Sequence, residues 1–166
     1  MSSVEALPMR GTYTLIIFLS KEACLNVGKL GIQKFPRGYY AYTGSALGKG
    51  ASSLSRRVSR HLRKEKRRLW HVDFLLTHEN ATVTAVVAAQ TNEKAECKMN
   101  QYIKGREATI PVVGFGASDC KEDCGSHLLY FGEENIKPKI AMLYAEKLGS
   151  SPVVIDFSKK GCLEWV

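Results

Sequence analysis

Two tyrosines, an arginine–histidine pair and one glutamate are the side chains whose types and spacing could do chemistry together. Gly11-Thr12-Tyr13 opens one β-branched run, and Tyr42-Thr43-Gly44 closes another and leads into the Gly/Ser stretch at 44–53. Beyond that stretch Arg57 and His61 lie one helical turn apart, on one face. Glu96 then borders an apolar helical stripe, with Met99, Asn100 and Ile103 three, four and seven positions on. A carboxylate at the edge of apolar surface is costly unless it is paired or holds a cation. Any single strand tyrosine reads as core filling. The company these two keep is what suggests a site.

A second set has sulfur in it. Three residues separate Cys120 from Cys124, two more precede His127, and His71 or Cys97 is a conceivable fourth ligand for zinc. The spacing departs from that of ordinary zinc knuckles, and five cysteines make an odd count at irregular intervals. The expectation is therefore reduced thiols near a structural turn, in a cytoplasmic protein, with zinc at Cys120, Cys124 and His127 disfavoured. Trp70-His71-Val72-Asp73 alternates in the manner of a strand, which puts His71 and Asp73 on one face. There they either position each other beside the site or pair for structure.

The charge is focused. Of the 24 Lys and Arg residues in 166, nine fall between Lys49 and Arg68 with one acid, Glu65, so this segment carries the whole net charge of +8. Basicity concentrated in this way suits a polyanion. Lys49, Arg56, Arg60, Arg63, Lys64, Arg67 and Arg68 are the candidate nucleic-acid contacts; the bland alternative is a solvated basic helix. No apolar run reaches the roughly 20 residues that cross a bilayer, and the first residues show no apolar core behind a basic start, so neither a membrane partner nor a secretory signal is expected.

The elements that must position these groups follow from periodicity. Residues 12–19 read as a buried strand, 24–27 and 38–43 as shorter ones, the three making a small antiparallel sheet. Residues 54–69 repeat on a helical period, with Leu54, Val58, Leu62 and Leu69 apolar and Arg57, His61, Lys64 and Arg68 beside them. A strand at 83–89, a helix at 93–103, a strand at 127–131, a helix at about 139–148 and a strand at 153–157 complete one α/β domain.

The ordered set GTY, YTG, an Arg-His helix and a helical Glu resembles the GIY-YIG nucleases. More closely, GTYTLIIFL, VGKLGIQKFPRGYYAYTGSALG, RRVSRHLR, WHVDFLL and SHLLYF resemble the uncharacterised GIY-YIG-like family of archaea and bacteria, whose members are sometimes fused to an endonuclease III-like domain. The resemblance covers about residues 10–131 and implies an α+β fold with a small, mainly antiparallel central sheet flanked by helices; residues 132–166 would be a helix-and-strand extension. It also implies roles: Tyr13, Tyr42, Arg57 and His61 catalytic, and Glu96 holding one Mg²⁺ or Mn²⁺; His71, Asp73 and His127 are candidate supporting residues beside them. Tyr13 would take a proton from the attacking water. The implied activity is metal-dependent hydrolysis of DNA, with DNA-repair proteins as associates. Thr stands for the middle Ile in both motifs, and the 29 positions between Tyr13 and Tyr42 imply an enlarged hairpin.

Three readings stay open on the sequence: a nuclease, a nucleic-acid-binding module without turnover, and a zinc-organised interaction domain. The charge predicts one outcome for the first two alike. Changing Arg63, Arg67 and Arg68 to Ala should weaken binding to duplexes of any sequence, and log Kd should change with log salt by about 0.9 per phosphate contact. Salt titrations of fluorescence anisotropy would show it, and salt-insensitive binding would refute it.

Overall fold

The longest apolar run forms the centre of the sheet. In the computed structural model, which describes residues 3–106, 108–117, 120, 124–149 and 151–157, the chain begins with strands β1 (Gly11–Leu19), β2 (Ala23–Asn26), β3 (Ile32–Phe35) and β4 (Gly38–Ala46). Helices α1 (Leu54–Leu62) and α2 (His71–Leu76) follow, then strand β5 (Ala81–Gln90) and helix α3 (Glu96–Lys104). Strand β6 (Leu128–Tyr130), helix α4 (Lys137–Leu148) and strand β7 (Val153–Asp156) complete the order. Five strands pair in the order β6-β4-β1-β5-β7, every neighbour antiparallel. The fold is mixed α/β, a mainly antiparallel central sheet flanked by helices.

Alternation along each strand divides the core in two. On one face Leu15, Ile17, Tyr40, Val86 and Leu128 pack with Leu54 and Val58 of α1, Val72 and Leu75 of α2, and Val27 and Phe35. On the other, Ile16, Ala41, Val87 and Leu129 meet Met99 and Ile103 of α3 and Ile140 and Tyr144 of α4. The second face also holds polar pairs, for Thr14 Oγ1 lies 2.8 Å from both Thr43 Oγ1 and the Tyr144 hydroxyl.

Several expectations are corrected. β2 does not join the main sheet; it pairs with β3, a strand the sequence did not suggest, in a separate two-stranded sheet. That hairpin is the insertion between Tyr13 and Tyr42, and β4 pairs directly with β1 around it. α1 stops at Leu62 rather than 69. Continuing it would stack Arg60 on Lys64, Arg63 on Arg67 and Lys64 on Arg68 at i,i+4, all repulsive. Lys66 instead folds back and donates to the Arg60 and His61 carbonyls at the helix end, at 3.0 and 2.7 Å.

The 70–73 segment is not a strand but the start of α2. Val72, Leu75 and Leu76 are buried at helical spacing. Asp73, fully buried, accepts the Leu69 and Trp70 N–H groups at 2.8 and 2.9 Å and so caps the helix. It does not pair with His71. Its partner is Arg60, bidentate at 3.0 and 2.8 Å. The segment after Gly132 is built into the fold, since α4 closes the second core and β7 pairs with β5 along the sheet edge. Residues 158–166, where the extension was expected to end, lie outside the described residues. No helix among the described residues is long and apolar enough to cross a membrane.

Asp73 generates a stability prediction. Burial would raise its carboxyl, but Arg60 and the Trp70 and Leu69 amides more than offset this and hold it below the usual carboxylate range. Its contribution is therefore present above the unfolded-chain pKa of about 3.9 and fades as pH falls through the lower folded value. Asp73→Ala should cost about 3 kcal/mol at neutral pH, because Arg60 is left facing an emptied, buried site. The loss should shrink in acid, which urea unfolding at a series of pH values would reveal.

Candidate functional site

One end of the sheet opens into a cleft of about 930 Å³ lined by Tyr13, Tyr42, Ser45, Arg57, Trp70 and Glu96, among others. Pairing of β1 with β4 puts Tyr13 opposite Gly44 and Leu15 opposite Tyr42, so the two tyrosines share a face two residues apart. The helix that follows brings His61 to the first of them, Nε2 lying 2.8 Å from the Tyr13 hydroxyl. Arg57, one turn earlier, donates to the Ser45 carbonyl at 3.0 Å. Glu96 arrives from the opposite face, at the first turn of α3. Four of the five residues that the motifs singled out, Tyr13, Tyr42, Arg57 and Glu96, therefore line one cleft, and the fifth, His61, is buried behind Tyr13 outside the lining.

Glycine makes the meeting possible. A Cβ on Gly44 would sit 2.6 Å from the Tyr13 hydroxyl, so only a bare Cα leaves room for that ring. Gly116, at φ +67°, lies against Tyr42 in the same way, where a Cβ would come within 2.9 Å of the ring. The threonines at the middle positions of the two motifs face the other side, where Thr12 bonds Thr91 at 3.1 Å and Thr43 bonds Thr14.

Arg57 is held by a relay of stacked groups. Its guanidinium lies 4.9 Å from the Trp70 ring centroid, Arg60 lies 4.3 Å from the same ring, and Asp73 fixes Arg60. His71 accepts the Gly116 N–H on Nδ1 at 2.8 Å and so holds the loop that packs on Tyr42. Its imidazole is pushed down by burial, which keeps it neutral and able to accept. His71 and Asp73 thus both support the cleft, by separate routes. His127 lines it directly, beside Cys97 and Cys120.

The titratable groups are strongly shaped by burial. Burial and the neighbouring Tyr42 push the Tyr13 hydroxyl well up, against the opposing pull of Arg57. Tyr42 is pushed up to about 12 by burial and by Glu96. His61 is pulled down to about 3, by burial first and then by Lys66. At pH 7 the pair is then a protonated phenol and a neutral imidazole. The other ring nitrogen of His61, Nδ1, is buried with no partner among the described residues.

Of the expected nucleic-acid contacts, Arg60 and Lys64 are engaged inside the protein: Arg60 with Asp73, Lys64 with the Leu76, His78 and Ala81 carbonyls. Lys49, Arg56, Arg63, Arg67 and Arg68 are exposed and outside the cleft lining, Arg68 over the Phe74 ring. Lys94, Lys98, Gln101 and Trp70, which sequence reasoning missed, do line it. The two lysines flank Glu96 two positions to either side, a local signal that could have been read.

Beside Glu96 the thiols converge. Cys97, Cys120, Cys124 and His127 place one ligand atom each within 4.8 Å of all the others.

Residues 12–148 match the family described as Domain of unknown function DUF123. The chain belongs to that family. The matched span runs from β1 through α4, so it takes in every cleft residue named above and reaches past the boundary near 131 that the motifs implied. No curated protein and no solved structure matches the chain.

Gly44→Ala tests the geometry without reference to activity. The added methyl should displace the Tyr13 ring, destabilise the fold by about 1–3 kcal/mol and break the bond to His61. Denaturant unfolding reads the first effect and the His61 ring signals in ¹⁵N NMR read the second. Unchanged His61 signals would show that the tyrosine has room to spare.

Proposed function

We propose that the chain is a metal-dependent phosphodiesterase of the GIY-YIG type that cleaves DNA. The observation that supports this reading best is that Tyr13, Tyr42, Arg57 and Glu96 line one open cleft on a basic protein. Phosphodiester hydrolysis builds negative charge on nonbridging and leaving oxygens, and a fixed guanidinium and a divalent cation both lower that barrier.

The donor set at Glu96 fits a hard cation. Among the described residues no basic side chain lies within ion-pair distance of its carboxylate, and Glu96 lines the cleft together with Tyr13 and Tyr42. Such oxygen donors suit Mg²⁺ or Mn²⁺ keeping most of its waters, whereas the thiols next to it do not. When bound, the cation would supply charge neutralisation and a more acidic water. Arg57, its fork oriented by Ser45 and Trp70, would grip a phosphate oxygen. Tyr13 would orient the attacking water through its hydroxyl, with His61 holding the phenol. Lys94 and Lys98 would meet the phosphates on either side of the scissile one, and Trp70 offers a face on which a base can stack.

One observation favours a second reading, a binding module without turnover: burial pushes both tyrosine hydroxyls up, so neither is a base at neutral pH unaided. Mutants separate the two. Glu96→Gln should abolish Mg²⁺- or Mn²⁺-dependent nicking of a panel of duplex, flap and branched DNAs while leaving their binding within about twofold. Arg57→Ala should reduce both, since a phosphate-facing guanidinium acts in ground and transition states alike. Wild-type protein that binds the panel and cleaves nothing supports the module, and Glu96→Gln that still cleaves refutes the assignment of the cation to this carboxylate.

A further inference from the structure

The thiol cluster beside the cleft is not used by the reading above, and its geometry is informative on its own. Cys97 stands on the first turn of α3, Cys120 and Cys124 on the loop that precedes β6, and His127 at the strand's threshold. Cys97 Sγ lies 3.4 Å from Cys120 Sγ and 3.5 Å from His127 Nε2, while Cys124 Sγ contacts the Cys97 carbonyl at 3.9 Å. Cys124 and His127 are buried and the other two half-buried. Four ligand atoms from α3 and the loop before β6 thus converge.

We propose that Cys97, Cys120, Cys124 and His127 form a structural Cys₃His zinc site that ties α3 to the loop before β6. The distances fit the metal. Zinc with Zn–S near 2.3 Å and Zn–N near 2.05 Å at tetrahedral angles sets ligand edges at about 3.8 Å for S···S and about 3.6 Å for S···N. The observed 3.4 and 3.5 Å edges lie close to those figures, and all four ligand atoms fall within 4.8 Å of one another. A disulfide would join two of the sulfurs and leave the third thiol and the imidazole converging on nothing. Binding would release the three thiol protons to solvent, leaving three thiolates and a neutral imidazole around Zn²⁺. Four protein ligands close the coordination shell, which marks a structural rather than a catalytic zinc. Soft thiolates also exclude Mg²⁺, so this site and the one proposed at Glu96 would not compete for a metal.

Support for the ligands is already built. His127 is fixed by its own backbone, its N–H on the Phe115 carbonyl at 2.8 Å and its carbonyl accepting from Thr43 at 3.2 Å. Asn100, one turn beyond Cys97, donates to the Ser126 carbonyl at 2.7 Å and sets the helix against the loop. Gln101 reaches Cys124 Sγ at 3.8 Å, in the manner of an outer-shell donor to a thiolate.

The spacing from Cys120 to His127 had argued against zinc because it matches no common knuckle. The convergence with Cys97, 23 positions away, is what a linear motif does not display.

Elemental analysis of protein purified with reductant and no added metal tests this, independently of any cleavage. The expected result is about one zinc per chain, lost in Cys124→Ser and kept in the control Cys24→Ser, whose thiol is exposed and outside the cluster. Because Cys124→Ser could lose metal by misfolding, the exchangeable ligand His127→Cys is the second arm. It should retain metal, and its cobalt(II) form should show tetrahedral ligand-field bands shifted from those of wild type by the change from three thiolates to four. Zn²⁺ but not Mg²⁺ should raise the melting temperature of the stripped protein. Less than one-tenth equivalent of zinc after incubation of reduced protein with Zn²⁺, iron in its place, or a cobalt spectrum unmoved by His127→Cys would overturn the proposal. Zinc at full occupancy in a protein that cleaves no DNA would leave it standing and remove only the nuclease.

Discussion

Everything in the cleft depends on the register between β1 and β4. With Tyr13 opposite Gly44 and Leu15 opposite Tyr42, both phenols fall on the face that α1 covers. A slip of one residue would send both to the other face, where Thr14, Thr43 and Tyr144 now bond. The register is doubly specified, because Leu15 and Ile17 must enter one core and Ile16 the other. Burial of Leu54 and Val58 then docks α1 on the same face, and helical spacing alone carries His61 to Tyr13 and Arg57 to the end of β4. The hairpin inserted between the two strands leaves this arrangement alone because it folds as its own small sheet.

That dependence explains which parts of the molecule could be read in advance. β1, β4 and β5 are long apolar or aromatic runs buried on both faces, and their signal survives any context. β3 carries Ile32, Gln33, Lys34 and Phe35, of which only Phe35 is buried, so nothing marked it as a strand. A four-residue window such as Trp70 to Asp73 cannot separate a period of two from one of 3.6, and the deciding pair, Leu75 and Leu76, lies just beyond it. In the site, Tyr13, Tyr42, Arg57 and Glu96 were legible as an ordered set. Trp70 was not, since it enters the cleft by tertiary approach, and Lys94 and Lys98 could be read only as neighbours of Glu96.

The basic segment is a case where composition overstated a surface. Arg60, Lys64 and Lys66 look like free cations in the sequence, yet they neutralise Asp73 and bind the carbonyls of the α1 end and of the turn after α2. Lys66 is so far buried that its ammonium is pulled down to about 8, burial outweighing the attraction of Asp73. These three charges act as internal fasteners and hold the segment after α1 against α2. Their field still reaches the cleft, because Arg60 lies on Trp70 beside Arg57. The segment thus places charge behind the cleft wall, while Arg56, Arg63 and Arg67 stay exposed outside the lining.

The geometry poses one further demand. Arg57 and the tyrosines are held by the core on one face of the sheet, and Glu96 by the core on the other, so no single apolar cluster fixes their separation. The segment from Val112 to His127 is what spans the two faces past the end of β4. It is tied to α2 through His71 and Gly116, and to α3 through Asn100 and Ser126. Among its described residues that loop buries Val112 and Phe115 as its large apolar side chains, and its sequence is rich in glycine. A coordinate crosslink between Cys97 and the loop, next in sequence to Glu96, is the kind of constraint that would hold the carboxylate at a set distance from the guanidinium across the cleft.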